Sequence, residues 1–181
     1  MDKDFLVIGI TQPYFFKDEA RQINSLLEEK KAHYIHLRKP GSSYGEMENL
    51  IQDIKPEFHP FLKLHDHFSL IEKFELGGIH LNSRNPVAFP NAAQISKSIH
   101  HPAEIKDTED LNYFFLSPIF DSISKKGYKA AFNPEELPSF ISGKRAIALG
   151  GVTPDKFLML KNLGFYGGAL LSYFFPQGNK E

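Results

Sequence analysis

The chain contains no cysteine and no tryptophan. Without cysteine it has no disulfide framework, no thiolate metal site and no thiol nucleophile, and this absence fits a reducing cytosol. Neither sign of charge is in excess, since 21 basic residues face 22 acidic ones. A general nucleic-acid surface or a surface for acidic membranes is therefore not expected. What the chain has instead is phenylalanine, 17 residues in a length of 181, which is ample apolar mass for the core of one domain.

Long hydrophobic runs are also missing. The first apolar run, residues 5–10, is too short for the core of a signal peptide or for a membrane span, and acidic residues precede it. We therefore expect a soluble, cytoplasmic protein with no membrane partner. The sequence leaves both a monomer and a homo-oligomer open.

Short apolar segments alternate with helical ones along the whole chain. Strands are predicted at residues 5–10, 34–37, 61–64, 78–81, 93–99, 113–116, 145–149 and 168–171, and helical segments at 18–31, 44–54, 68–74, 103–111, 134–141 and 155–163. This alternation predicts parallel strands joined by crossovers, hence an α/β fold. The count of eight predicts a (β/α)8 TIM barrel in a single domain, 1–181, compact and with reduced later helices. An open doubly wound sheet is the alternative.

Polar side chains recur where the predicted strands end, which in a barrel is the end that carries the site. His36 and Arg38 are two positions apart and so share one face of the second strand. The other such groups are His65 and Asp66 after the third strand, Asn82 and Asn85 after the fourth, Ser98 and His100 at the fifth, Ser122, Ser124 and Lys125 after the sixth, Gly150 and Gly151 after the seventh, and Ser172 after the eighth.

The loops after the last three strands suit a phosphate group. The hydroxyls of Ser122 and Ser124 and the ammonium of Lys125 are all donors to phosphate oxygens. Gly150 and Gly151 let a backbone approach a ligand closely, and a helix follows them, as in the usual phosphate site of barrels. The plainer alternatives are a solvated surface loop for the first group and a tight turn for the glycine pair.

Several blocks together resemble the thiamine phosphate synthases and their TenI relatives. The blocks are IHLRK at 35–39, LHDHFSLIEKFELGGIHL at 64–81, SKSIHHPAEI at 96–105, LSPIFDSISKK at 116–126 and AIALGGVTPDKFLMLKNLGFYGGALLS at 146–172. The resemblance implies a (β/α)8 barrel that joins an aminopyrimidine methyl diphosphate to a thiazole phosphate and releases pyrophosphate. It also implies Mg²⁺ as cofactor and small phosphorylated molecules as partners.

The resemblance implies a role for each matching position. Arg38 and Lys125 would clamp the diphosphate, Asp66 would hold Mg²⁺, and Ser98 would lie near the diphosphate or the pyrimidine. The remaining substrate- and phosphate-binding positions would be His36, Lys39, His65, Ser122, Ser124, Gly150, Gly151, Leu171 and Ser172.

The chain departs from the synthase pattern at several of these positions. His36 stands where glutamine is usual, and Pro40 where lysine is usual, with Lys39 one position early. His65 replaces an asparagine. The second acidic Mg²⁺ ligand is matched by Asn85, and a neutral amide binds this hard cation more weakly than a carboxylate does. These departures predict reduced activity or a divergent paralogue as an alternative to a full synthase.

Three further alternatives have a different function. The tautomerase of the TenI branch carries a histidine acid/base after strand six, where this chain has Pro118, and a catalytically silent binder of thiazole or thiamine phosphate would keep the phosphate-binding residues alone. A metal-dependent hydrolase or aldolase barrel is the other alternative, since His65 and His67 could chelate a transition metal with Asp66. In that case the histidines near the strand ends would be ligands rather than ordinary core or surface residues.

Overall fold

The structure, a computed structural model, describes residues 5–120, 132 and 136–176. Its strands are β1 (Leu6–Ile10), β2 (Tyr34–Leu37), β3 (Leu62–Leu64), β4 (Gly78–Leu81), β5 (Ile95–Ile99), β6 (Tyr113–Leu116), β7 (Ala146–Ala148) and β8 (Gly167–Leu170). All neighbouring pairs are parallel, and β1 pairs with both β2 and β8. Because the sheet closes on itself, the predicted (β/α)8 barrel is confirmed and the open sheet is excluded.

Five α-helices lie within the described residues: α1 (Glu19–Glu28), α2 (Tyr44–Asp53), α3 (Leu70–Phe74), α4 (Leu137–Ile141) and α5 (Phe157–Asn162). The later helices are short, as predicted. The connection after β5 is a 3₁₀ helix, Pro102–Asp107, in place of the helix predicted over 103–111. A 3₁₀ turn, Pro154–Lys156, also precedes α5, and Thr153 flanks it without making a side-chain capping bond.

The bounds of five strands, β1, β3, β5, β7 and β8, differ by one or two residues from the sequence prediction. Phe61 belongs to a 3₁₀ helix, Pro56–Phe61, whose two prolines favour a tight helical turn over an extended start to β3. Residues 93 and 94 precede β5, and β8 lies one residue earlier than predicted. No helix among the described residues is both long enough and apolar enough to cross a membrane.

The strands of the barrel present two different faces. Outward-pointing residues such as Val7, Ile35, Leu64 and Phe114 pack with the helices in one large apolar core. A second, smaller cluster fills part of the barrel interior with side chains from β1, β6, β7 and β8; its buried members are Ile8, Ile10, Tyr113, Phe115, Ile147 and Ala169.

The rest of the barrel interior is polar. Strands β2 to β5 point inward with Tyr34, His36, Lys63, His80 and Ser96, of which all but Tyr34 are buried. The Nζ atom of Lys63 donates to the carbonyl of Gly77 at 2.6 Å and lies 4.4 Å from the centre of the Tyr34 ring. Burial lowers the pKa of Lys63 to about 7. One side of the barrel interior is therefore filled by apolar side chains, and the other by polar side chains that form hydrogen bonds.

Candidate active site

Arg38 is fixed at the carboxyl end of β2 by the neighbouring strand. Its backbone N–H donates to the hydroxyl of Thr11, just beyond β1, at 2.9 Å. The side chain is half-buried, and within the described residues its guanidinium donates no hydrogen bond. Burial, with a smaller contribution from Arg84, lowers the pKa of Arg38, and Asp66 opposes this effect. The guanidinium remains charged at neutral pH and is free to receive an anion.

Asp66, at the end of β3, is held by the loop that follows β4. The Nε and Nη2 atoms of Arg84 each lie 3.0 Å from one carboxylate oxygen of Asp66, a two-point contact. The amide of Asn85 also donates to Oδ1 of Asp66 at 2.9 Å. The carboxylate thus has both oxygens engaged by side-chain donors.

The loop that carries Arg84 and Asn85 is a compact turn built by asparagines. The backbone groups of Asn82 and Asn85 bond to each other in both directions, at 3.2 and 3.1 Å. The Oδ1 atom of Asn82 accepts from the backbone N–H of Arg84 at 3.0 Å, and the amides of Asn82 and Asn85 both donate to the carbonyl of His65. Because short asparagine side chains bond readily to nearby backbone, this turn holds Arg84 over β3.

Beneath these charges lies a chain of hydrogen bonds through the barrel interior. The Nδ1 atom of His36 lies 2.9 Å from Nε2 of His65, and its Nε2 atom lies 2.7 Å from the hydroxyl of Tyr113. Burial, followed by neighbouring histidines and then cations, holds the pKa of His36 and of His65 well below the usual range. Burial also raises the pKa of Tyr113. All three groups are therefore neutral at physiological pH.

His80 sits beside this chain between two serines. Its Nδ1 atom lies 2.9 Å from the hydroxyl of Ser96, which donates to the carbonyl of Ile79, and its Nε2 atom lies 3.0 Å from the hydroxyl of Ser98. Ser96 therefore accepts from Nδ1, and Ser98 donates to Nε2. Burial lowers the pKa of His80 to about 3. The lone pairs of Ser98 remain for a ligand above it.

The three interior histidines, His36, His65 and His80, are the one group among the described residues whose ligand atoms lie close enough to share a metal ion. Their hydrogen bonds argue against that use, because His80 would have to give up Ser98. The rings of His65 and His80 also stack at 4.2 Å with 22° between their planes, so their in-plane lone pairs do not converge. The proposed chelate of His65 with His67 is not formed either, since Nε2 of His67 lies 2.8 Å from the carbonyl of Ser42.

The Mg²⁺ site implied at Asp66 does not fit the residues around it. Magnesium prefers carboxylate and water oxygens in an octahedron, whereas here both oxygens of Asp66 accept from Arg84 and one also accepts from Asn85. The neighbouring Asn85 supplies an amide N–H rather than a second carboxylate. A divalent cation at Asp66 would displace the guanidinium or stand beside it against charge repulsion.

The loops after β6 and β7 are tied together. The backbone N–H groups of Ile119 and Phe120 donate to the carbonyls of Leu149 and Gly150 at 2.9 and 3.1 Å. Gly150 has a φ of 92°, and a Cβ atom there would lie 2.9 Å from Cβ of Pro118. Gly151 also has a positive φ, of 63°. The glycine pair therefore meets a conformational and a steric demand that few other residues could meet.

Lys39 requires a correction, because its ammonium has no donor left for a substrate. Its Nζ atom is buried and donates to the carbonyls of Gln12 and Tyr14 and to Oε1 of Glu19, at 2.9, 2.6 and 2.6 Å. All three N–H groups are thus used. Lys39 binds the segment after β1 instead of replacing the lysine that is absent at Pro40.

The other predicted positions divide into three groups. Arg38, Asp66, His36, His65 and Ser98 lie at or just below the carboxyl ends of β2 to β5. Beyond β8, the side chain of Leu171 packs on the interior cluster and Ser172 is exposed. Ser122, Ser124 and Lys125 lie outside the described residues.

Arg84 is the residue that sequence reasoning missed. It directly precedes Asn85, the position matched to the second acidic metal ligand. A basic residue beside a position that lacks the expected acid is the signal that could have revealed it. The interior partners Tyr113 and Ser96 were missed because hydroxyls inside predicted strands carry no pattern of their own.

Comparison with known proteins places this geometry in a family. The family model described as thiamine monophosphate synthase matches residues 7–174. A thiamine phosphate pyrophosphorylase from Bacteroides thetaiotaomicron is 35% identical, with a TM-score of 0.81 over 93% of this chain and 83% of its own. The enzyme of the same name from Pyrococcus furiosus, 17% identical, has a TM-score of 0.73 over 93% of this chain and 86% of its own, which shows the fold alone.

The same barrel recurs in more distant proteins. A mutant tryptophan synthase α-subunit from Pyrococcus furiosus is 13% identical, with a TM-score of 0.65 over 95% of this chain and 89% of its own. A search of curated protein sequences gave no significant match. Because the family model spans nearly the whole barrel, the chain belongs to the thiamine monophosphate synthase family.

Proposed function

We propose that the chain is a transferase of thiamine biosynthesis that joins an aminopyrimidine methyl diphosphate to a thiazole phosphate and releases pyrophosphate. The observation that carries the proposal is the charge at the carboxyl end of the barrel. Two guanidiniums, Arg38 and Arg84, lie near one carboxylate, Asp66, and only Arg84 is hydrogen-bonded to it. The described site thus has an excess positive charge where a departing diphosphate would accumulate negative charge.

The reaction needs little acid–base chemistry. The bond between the methylene carbon and the diphosphate oxygen breaks, its electron pair leaves with the diphosphate, and the amino-substituted ring stabilises the carbocation. The thiazole nitrogen then donates its lone pair to form the new C–N bond. Donors already oriented toward the leaving group lower such a barrier most, because they are not reorganised during the reaction.

The residues of this chain have distinct parts in that scheme. Arg38 neutralises the diphosphate, and the hydroxyl oxygen of Ser98, whose proton is donated to His80, accepts from the amino group of the pyrimidine. Lys125 would add a further cation, and Ser122, Ser124, Gly151 and Ser172 would hold the thiazole phosphate, as the family resemblance implies. The reduced activity expected from Asn85 stays a prediction, as do the cytoplasmic location and the oligomeric state.

A turnover assay with both substrates tests the proposal, with thiamine phosphate as the measured product. The variant Arg38→Gln should lower kcat by roughly 100-fold, the usual cost of removing one donor to developing charge. The matched control is Arg21→Gln, an exposed arginine of α1, which should leave turnover unchanged. Wild-type protein without turnover contradicts the proposal.

A second candidate is isomerisation of the thiazole phosphate by proton transfer. The observation that favours it is the neutral pair His36 and His65, whose linked ring nitrogens could pass a proton to Tyr113. The lowered pKa of His65 argues against it, since a general base works best with a pKa near the operating pH. Solvent-deuterium exchange into thiazole phosphate that is lost in His65→Gln would establish this activity instead. Binding of thiazole phosphate without either activity would favour the silent paralogue.

A further inference from the structure

Arg84 stands at the position beside Asp66 where a bound divalent cation would have to lie. Its Nε and Nη2 atoms take both carboxylate oxygens at 3.0 Å. A third donor, the amide of Asn85, lies 2.9 Å from Oδ1. A metal ion would need the same oxygens, and it would meet a fixed positive charge within a few ångströms, where like charges repel strongly.

The guanidinium is positioned by the fold and not only by the ion pair. The backbone N–H of Arg84 donates to Oδ1 of Asn82, and the Asn82 amide donates to the carbonyl of His65, the residue before Asp66. The side chain of Asp66 is 12% exposed and that of Arg84 is 42% exposed. The guanidinium of Arg84 is thus held by Asp66 on its inner side and is accessible to solvent on its outer side.

The open side retains the means to bind an anion. A guanidinium has five N–H donors in a planar fork, and only Nε and Nη2 of Arg84 contact Asp66. Arg38 lies near Arg84: burial and then the charge of Arg84 lower the pKa of Arg38. The guanidinium of Arg38 donates to none of the described residues. Two arginine forks with free donors are well matched to phosphate oxygens.

We propose that Arg84 replaces the divalent cation in this chain, so that a diphosphate binds between Arg38 and Arg84 without any metal ion. The inference deepens the proposed function, on which its catalytic meaning rests. The binding step itself can be measured on the isolated protein, and it does not depend on turnover.

Calorimetry with inorganic pyrophosphate in EDTA measures that step. Wild-type protein should bind pyrophosphate in EDTA. When Mg²⁺ replaces EDTA, the affinity calculated from the concentration of metal-free pyrophosphate should not increase. Arg84→Gln should weaken the affinity at least tenfold, as expected for charge-assisted hydrogen bonds, and Arg84→Lys should restore part of the loss. Arg21→Gln is the control and should match the wild type. Wild-type binding that requires a metal, no wild-type binding in EDTA, or unchanged binding in Arg84→Gln would each overturn the proposal.

Electron paramagnetic resonance of Mn²⁺, a substitute for Mg²⁺, tests the exclusion of metal directly. Wild-type protein should leave the signal of free Mn²⁺ unchanged at Mn²⁺ concentrations up to about 1 mM, which is the dissociation constant of the weakest protein Ca²⁺ sites. The double variant Arg84→Gln with Asn85→Asp, checked for an unchanged melting temperature, should gain a site. A stoichiometric site in the wild type, or none in the folded double variant, overturns the proposal.

These measurements separate the two proposals. A protein that binds pyrophosphate through Arg84 in EDTA but forms no thiamine phosphate refutes the proposed function and leaves this inference standing. A protein that forms thiamine phosphate only with Mg²⁺ and binds Mn²⁺ refutes this inference and leaves the proposed function standing.

Discussion

The hydroxyl of Tyr113 lies 2.7 Å from Nε2 of His36, and the contact links β6 to β2 across the barrel interior. Both groups are buried. A polar atom that loses its partner in such a place pays its full desolvation cost.

Removal of the Tyr113 hydroxyl should therefore destabilise the barrel. We expect Tyr113→Phe to lower the free energy of unfolding by about 1–3 kcal/mol, because Nε2 of His36 is left unpaired. Tyr34→Phe is the matched control, since its ring stacks on Tyr113 at 6.2 Å and its hydroxyl has no bond among the described residues. Urea denaturation measures both, and equal losses in the two variants would contradict the prediction.

Lys63 should make stability depend on pH in the alkaline range. Burial lowers its pKa to about 7 from 10.5, so between these values the folded state holds fewer protons than the unfolded state. Stability should accordingly rise with pH over that window, by at most about 1.4 kcal/mol per pH unit, and stay level below it. Lys63→Met should abolish this slope in urea titrations, whereas Lys73→Met on the surface should keep it. An identical slope in Lys63→Met would refute the assignment.

The buried pair of Lys39 and Glu19 should matter for folding and not for ligand binding. Burial raises the pKa of Glu19 despite its contact with Lys39, and Oε2 of Glu19 is buried without a hydrogen-bond partner. Lys39→Met should cost about 3–5 kcal/mol of unfolding free energy, because one charge of a buried pair is left alone. The double variant with Glu19→Leu should recover much of that loss.

The control for this prediction is the exposed pair of Lys31 and Glu29, where Lys31→Met should have little effect. Folded Lys39→Met should bind pyrophosphate with wild-type affinity in calorimetry. A specific loss of that affinity would return Lys39 to the substrate site.

Gly150 should resist substitution on two grounds. Its φ of 92° is unfavourable for other residues, and an added Cβ would lie 2.9 Å from Cβ of Pro118. Gly150→Ala should lower the melting temperature and weaken phosphate binding by disturbing the joined loops. Gly45→Ala in α2 is the control, because nothing lies within 4 Å of its added Cβ, and it should be neutral or stabilising. Similar melting temperatures in the two variants would contradict this account.

The fold was predictable because burial on both faces of the strands leaves a plain signal. Segments such as residues 5–10 and 113–116 are continuous apolar runs, and their number and spacing determine the barrel. Boundaries were less predictable where short-range effects compete. Phe61 reads as a strand residue in sequence but belongs to the 3₁₀ helix that Pro56 begins.

The site was predictable only where a residue acts from its own strand end. Arg38 and Asp66 could be placed in this way, since strand ends of a barrel converge. The pairing of Asp66 with Arg84 depends on how the loop after β4 folds back over β3, and the saturation of Lys39 depends on three partners contributed by an earlier segment. Neither relation follows from periodicity.

The mixed interior of the barrel has a consequence for how its strands align. In β3, Lys63 points inward, as does His65 directly after the strand, while Leu62 and Leu64 point outward. A slip of one residue would move every side chain of the strand to the opposite face of the sheet. An ammonium and an imidazole would then pack against the helices, and their hydrogen-bond partners inside the barrel would be left unpaired. An all-aliphatic interior would tolerate such a slip far better. The polar half of the barrel interior thus favours one register of the strands. That register in turn sets how far each residue at a strand end lies along the barrel axis.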